Sequence, residues 1–209
     1  MPRSENVLSA LPPGLLRRAS KLDLAKGRLL FRQGAKPTAM YCVLSGEVRL
    51  VRTSAAGTEI VLQRTRSGFV AEASLDQGSY HCDALVTLPS TVLAIPRTEF
   101  QKSLDSTDVR DAWIAYVGAE LRRARAQSER LMLRTARERI LHFLETEGRN
   151  HAIKLSFTKK AWAAELGLTH EALYRTLRSM SAARELCEEP RGTISIGARQ
   201  AKRGGPKHC

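Results

Sequence analysis

The chain has 209 residues, 43% hydrophobic and 26% charged, the composition of an ordinary globular protein rather than a disordered or fibrous one. No apolar run nears the roughly 18 residues of a membrane span, and the opening MPRSENVLSALPP lacks the apolar core of a secretion signal. A membrane protein is therefore excluded and a cytoplasmic location expected, while 34 Lys and Arg against 21 Asp and Glu give +13, which favours a polyanionic partner.

From about Gly27 to Glu99 the chain reads as short apolar segments punctuated by glycine turns: RLLFRQGA, AMYCVLSGEVRLVR, GTEIVLQRT, HCDALV and STVLAIPR. Polar and apolar residues alternate from Glu47 to Arg52, and SAAG before Thr58 is a hairpin turn. A β-roll or barrel of roughly eight short strands is expected. The four cysteines, Cys42, Cys82, Cys187 and Cys209, show no C-x-x-C pairing, so neither a zinc ribbon nor a disulfide framework is indicated, and no metal site is expected.

One stretch, SYHCDALV, sets His81, Cys82 and Asp83 side by side. If Tyr80 to Val86 is a regular strand, Tyr80, Cys82, Ala84 and Val86 face inward and His81, Asp83 and Leu85 outward. On the outer face His81 and Asp83 are placed to hydrogen-bond each other or to approach the dimer helix. Two readings of Cys82 stand side by side. As a small buried hydrophobe it is inert. As a thiol sensor it is oxidised, persulfidated or joined to Cys42, with Asp83 raising its pKa and a protonated His81 lowering it. Cys42 itself reads as core.

After Phe100 the period changes. Ile114, Val117, Leu121, Ala124, Ser128 and Leu131 fall at alternating spacings of 3 and 4, a heptad seam on a helix. The pattern fits an amphipathic helix docked on its own domain or a dimerisation helix, and a seam sustained beside a separate β unit favours the second. The small Ala124 and polar Ser128 let two helices approach closely or leave room for a ligand beside them. ARERILHFLETEG is a further helix stopped by Gly148.

KLSFTKKAWAAELGLTHEALYRTLRSM follows, with Ser156 or Thr158 as one helix cap, Ala163 small at a helix crossing, Gly167 in the turn, and Thr169 capping a second helix whose inner face is Ala172, Leu173 and Leu177. This is the spacing of a helix-turn-helix. LCEEPRGTISIG then offers two strands about Arg191 and Gly192 as a wing, before a basic tail. On the outward face of the second helix lie His170, Glu171, Tyr174, Arg175 and Arg178. Arginine reads guanine and glutamate reads cytosine, so Arg175 and Glu171 suit adjacent base pairs. Thr169, His170 and Tyr174 suit phosphates or base edges, and Lys159 and Lys160 the backbone. The domains expected are a β-roll sensor over 1–105, a dimerisation helix over 106–134, a winged helix-turn-helix over 135–198 and a basic tail over 199–209: an α+β fold. A cupin-type metalloenzyme is the competing class, but it needs several converging ligands, and His81 is the one histidine of the β region.

In this order the elements resemble the CRP/FNR family (cyclic-AMP receptor, fumarate-nitrate regulator) of bacterial transcription factors, over about Leu24 to Ile196. FRQGAKPTAMYCVLSGEVRL, Gly57 in the next hairpin and SGFVAEASL carry the resemblance. It implies a non-enzymatic homodimer reading a palindromic double-stranded DNA site, with half-sites about 34 Å apart, and RNA polymerase as a further partner. The family's recognition Glu and Arg fall on Glu171 and Arg175. Glu72 matches the glutamate of the cyclic-nucleotide binders, but Cys82 and Asp83 stand where their phosphate-gripping Arg and Ser would be. A carboxylate repels a phosphate, so the usual cyclic-nucleotide grip is not expected. The chain has no cysteine before Cys42, so the family's iron-sulfur cluster is not expected either. A haem-binding, carbon-monoxide-sensing branch uses a Cys, a His and an N-terminal proline. His81, Cys82 and Pro2 resemble that set with a different spacing. Glu72, His81, Cys82, Asp83, Cys42 and Ser128 are thus the candidate sensor residues.

Overall fold

The structure is a computed structural model that describes residues 4–57, 59–70, 72–155, 158–189 and 192–197, and of Asn6 the backbone alone. Pro2, Ser156, Arg191, Cys209 and the tail 199–209 lie outside the described residues. The chain divides into two compact units, Met1–Glu120 and Leu121–Cys209.

The first unit opens with two short helices, α1 (Ser4–Ala10) and α2 (Pro13–Arg18), neither foreseen from the sequence. The strands follow: β1 (Ser20–Leu24), β2 (Leu29–Phe31), β3 (Ala39–Thr53), β4 (Glu59–Thr65), β5 (Gly68–Val70) and β6 (Asp83–Pro96). They form one six-stranded sheet of order β1-β6-β3-β4, with β2 on β6 and β5 on β3, every pairing antiparallel.

The expected eight short strands are thus six, two of them long. HCDALV and STVLAIPR run into the single strand β6. Pro89 does not break it because the ladder shifts register there and Ser90 substitutes for a backbone partner. Its Oγ accepts from the Glu47 N–H at 2.9 Å. Gly46, at φ +92°, makes that approach possible, since a Cβ there would stand 2.2 Å from Ser90 Oγ.

Two apolar clusters fill the roll. Phe31, Tyr41, Val43, Val48, Leu50, Tyr80, Cys82, Ala84 and Val86 make the first, with the Phe31 and Tyr80 rings stacked at 3.8 Å. Met40, Cys42, Phe69, Ile95 and Phe100 make the second with Val7, Leu11 and Leu15 from the N-terminal helices. It is closed by Val109, Trp113 and Tyr116 of the long helix α4 (Thr107–Met132), which follows the short α3 (Arg97–Ser103).

The second unit carries α5 (Ala136–Glu147), started by a Thr135–Glu138 capping box and ended at Gly148. A strand absent from the sequence reading, β7 (Ala152–Lys154), joins the two wing strands β8 (Leu186–Glu188) and β9 (Thr193–Ile196) in the order β7-β9-β8. Between them stand α6 (Lys159–Glu165) and α7 (His170–Ala182). Trp162, Ala163, Leu166, Leu173, Leu177 and Met180 pack against Ile140, Phe143 and Leu144 of α5.

Candidate functional site

Helices α6 and α7 are set by their own termini. Thr158 Oγ1 accepts from Ala161 N at 3.2 Å, and Thr169 Oγ1 from Ala172 N at 3.1 Å. Gly167 turns the chain between them at φ +64°, where a Cβ would lie 2.8 Å from Leu131. Leu173, Leu177 and Met180 take the buried face of α7. Ala172 is only half-buried, so Met180 replaces it in the expected inner set.

His170, Glu171, Arg175 and Arg178 are exposed along the opposite side, with Tyr174 half-buried among them. The His170 and Tyr174 rings lie 4.5 Å apart, and Lys159 Nζ stands 5.3 Å from the Tyr174 ring centroid. Lys159 also pairs with Glu188 of the wing, so this lysine is engaged within the fold, whereas Lys160 is exposed.

Arg139, missed in the sequence, organises the turn. Its guanidinium donates to the carbonyls of Leu166 at 3.2 Å, Gly167 at 3.0 Å, Leu133 at 3.0 Å and Leu131 at 3.2 Å. Arg130, 1% exposed, donates to Thr146 at 3.1 Å and stands 4.7 Å over the Phe143 ring. Burial lowers its pKa, which the Glu147 carboxylate opposes. Both arginines are hidden in a chain with 34 basic residues, where each reads as surface charge.

In the sensor unit, strand β6 begins at Asp83, so residues 80–82 lead into it rather than belonging to it. The inward set Tyr80, Cys82, Ala84 and Val86 is nonetheless buried together. His81 and Asp83 do not bond each other. His81 Nδ1 lies 3.3 Å from Ser74 Oγ, and Asp83 Oδ1 accepts from Gln33 N at 2.6 Å.

Cys82 is 1% exposed. Burial first, then Asp83 and Glu72, push its thiol up to about 11, and the cation opposing this is Arg52 rather than His81. Cys42 lies in the other apolar cluster, its thiol pushed up to about 12 by burial. Glu72, in the 3-10 turn Glu72–Ser74, encloses its carboxyl Oε2 without a hydrogen-bond partner. Burial raises it to about 7, with Glu120 adding to the rise and Gln63 opposing it. Among the described residues no three His, Cys, Asp or Glu side chains group as a metal site. Nor do His81 and Cys82 converge on one centre as haem ligands: one is exposed and bonded to Ser74, the other enclosed.

Along α4, Ile114, Val117, Leu121 and Leu131 are 61, 38, 50 and 47% exposed, and Ala124 and Ser128 are exposed with them. A different stripe, Val109, Trp113 and Tyr116, packs inward, and Tyr116 Oη accepts from Phe69 N at 2.8 Å. The sequence shows this stripe too, at spacings of 4 and 3.

The family model of the cyclic nucleotide-binding domain matches residues 21–107. A regulatory protein of Silicibacter pomeroyi, described as cAMP-binding, is 25% identical over 96% of each chain with a TM-score of 0.58. FixK2 of Bradyrhizobium japonicum is 20% identical over 91% of this chain and 99% of its own, with a TM-score of 0.67. The catabolite activator protein of Thermus thermophilus is 25% identical over 95% of this chain and 97% of its own, with a TM-score of 0.50. The search of the curated proteins found no match. No helix among the described residues is long and apolar enough to cross a membrane. Residues 21–107 match the cyclic nucleotide-binding domain family, and the chain as a whole shares its fold with FixK2 and the catabolite activator protein.

Proposed function

We propose that the protein is a homodimeric DNA-binding regulator in which α7 reads the major groove of a palindromic site, α4 supplies the dimer seam and RNA polymerase is the further partner. The observation that carries this reading is the division of α7: Leu173, Leu177 and Met180 are buried on one side, Glu171, Arg175 and Arg178 exposed on the other. Exposed cations and an exposed carboxylate on a helix anchored this firmly suit base edges and phosphates.

The β-roll is the effector unit, and cyclic AMP binding described for the Silicibacter relative is not carried over to it. Around Cys82 the acids Asp83 and Glu72 outweigh Arg52, so an entering phosphate would meet a site in which carboxylates prevail. A thiol sensor at Cys82 gains little support, because an enclosed thiol held at about 11 is protonated at neutral pH and reacts slowly. A disulfide with Cys42 gains less, the two lying in separate apolar clusters. A small-molecule effector that donates a hydrogen bond to the partnerless Glu72 Oε2 is better supported.

The test is a mobility shift on a palindrome selected from random duplex DNA. Arg175→Ala is expected to lose about 1–3 kcal/mol of affinity for that site and little for random duplex. Equal binding of both duplexes by the parent protein removes the reading.

A further inference from the structure

On the outward face of α7 every neighbour of Tyr174 is polar: His170, Glu171, Arg175 and Arg178. Tyr174 supplies the apolar surface of that face, and its ring is held in place. Lys159 Nζ stands over it at 5.3 Å, the His170 ring lies 4.5 Å away, and Lys159 is itself tied to Glu188 of strand β8. The linked side chains Glu188, Lys159, Tyr174 and His170 thus run from the wing through α6 to α7 and restrict the tyrosine rotamer before any ligand arrives.

With its face occupied by the ammonium, the ring has its edge and hydroxyl left to meet DNA. Residue 174 lies in the N-terminal half of a helix that starts at His170, the part that reaches base edges in a helix-turn-helix. Phosphates already have exposed cations at hand in Lys160 and Arg178. The apolar group on the major-groove floor is the thymine C5 methyl.

We propose that Tyr174 is a specificity residue whose ring edge packs on the methyl of one thymine in each half-site, beside the base pairs addressed by Glu171 and Arg175. The inference rests on the reading of α7 as the recognition helix.

The experiment uses the full-length protein and a palindrome selected from a randomised duplex pool. Each dT of the two half-sites is replaced by dU, which removes the methyl and keeps the base pairing. Affinities are measured at one salt concentration for the parent, Tyr174→Phe and Tyr174→Ala, with thermal melting as the folding control. One symmetry-related pair of thymines is expected to be sensitive, by about fourfold per methyl and about fifteenfold for both. Tyr174→Phe keeps that sensitivity and Tyr174→Ala loses it. The proposal is overturned by a parent with no sensitive thymine, by sensitivity that survives Tyr174→Ala, or by its loss in Tyr174→Phe, which would assign the contact to the hydroxyl. A pool from which nothing is enriched instead removes the DNA-binding reading on which the proposal stands.

Discussion

Glu47 and Glu72 are both enclosed carboxylates of the β-roll, yet their surroundings differ. Burial alone would raise Glu47, but the Thr87 hydroxyl at 2.6 Å, Arg49 at 2.8 Å and Arg66 at 2.6 Å outweigh it and hold the group ionised. Glu72 has no cation to offset its burial, and its Oε2 is without a hydrogen-bond partner. Its folded-state pKa of about 7 stands above the ordinary carboxylate value, so the folded unit holds a proton that the unfolded chain releases. The stability this provides is complete below the unfolded pKa and is lost as pH rises through about 7. Glu72→Gln removes that dependence. Discounted for the part of the residue that is exposed, the variant is expected to be more stable than the parent at pH 8.5 by on the order of 2 kcal/mol, and no more stable near pH 5. Melting curves across that range check it; parallel pH profiles for the two proteins would refute the assignment.

The turn between α6 and α7 depends on Arg139, whose four carbonyl partners come from the end of α4, the loop after it and the turn itself. Arg139→Ala strips charge-assisted hydrogen bonds from partly buried carbonyls and is expected to cost about 2–3 kcal/mol in the second unit. Arg139→Lys recovers only part of this, because one ammonium cannot span a planar fork of acceptors. Hydrogen exchange at the amides of α6 and α7 measures it, and unchanged protection in the alanine variant would sink the role. These elements also mark how far the sequence is legible. The glycine between α6 and α7 marks the turn, and Thr158 and Thr169 act through bonds to residues three or four positions away, so the starts of both helices can be read locally. Strands β3 and β6 cannot, because the continuity of each depends on Gly46 meeting Ser90, 44 residues distant, and a proline beside a serine reads as a break. Likewise Trp113 and Tyr116 complete the core of the roll, but the heptad template selects the apolar residues beside them. Arg139 escaped because an arginine aimed at carbonyls has no local pattern.

At the scale of the whole molecule the proposed dimer rests on the exposed seam of α4. Ile114, Val117, Leu121 and Leu131 recur at coiled-coil intervals on a 26-residue helix and remain 38 to 61% exposed, while the inward stripe is already satisfied. Apolar side chains repeated along one line are the pattern that knobs-into-holes pairing buries, and a second copy of the same helix supplies an identical line. With a net charge of +13, two free copies repel, so the apolar seam must outweigh that repulsion for a dimer to form. Leu121→Glu adds two carboxylates facing each other at the centre of such a seam. The variant is expected to sediment as a monomer at micromolar concentration where the parent is a dimer. Its binding should then split by target. On a single half-site the variant and the parent bind alike, since α7 is untouched. On the palindrome the variant loses the second, effectively intramolecular contact, and its affinity falls by about 10²-fold or more. A Leu121→Glu protein that stays dimeric and holds the palindrome as the parent does would place the dimer contact elsewhere than on this face of α4.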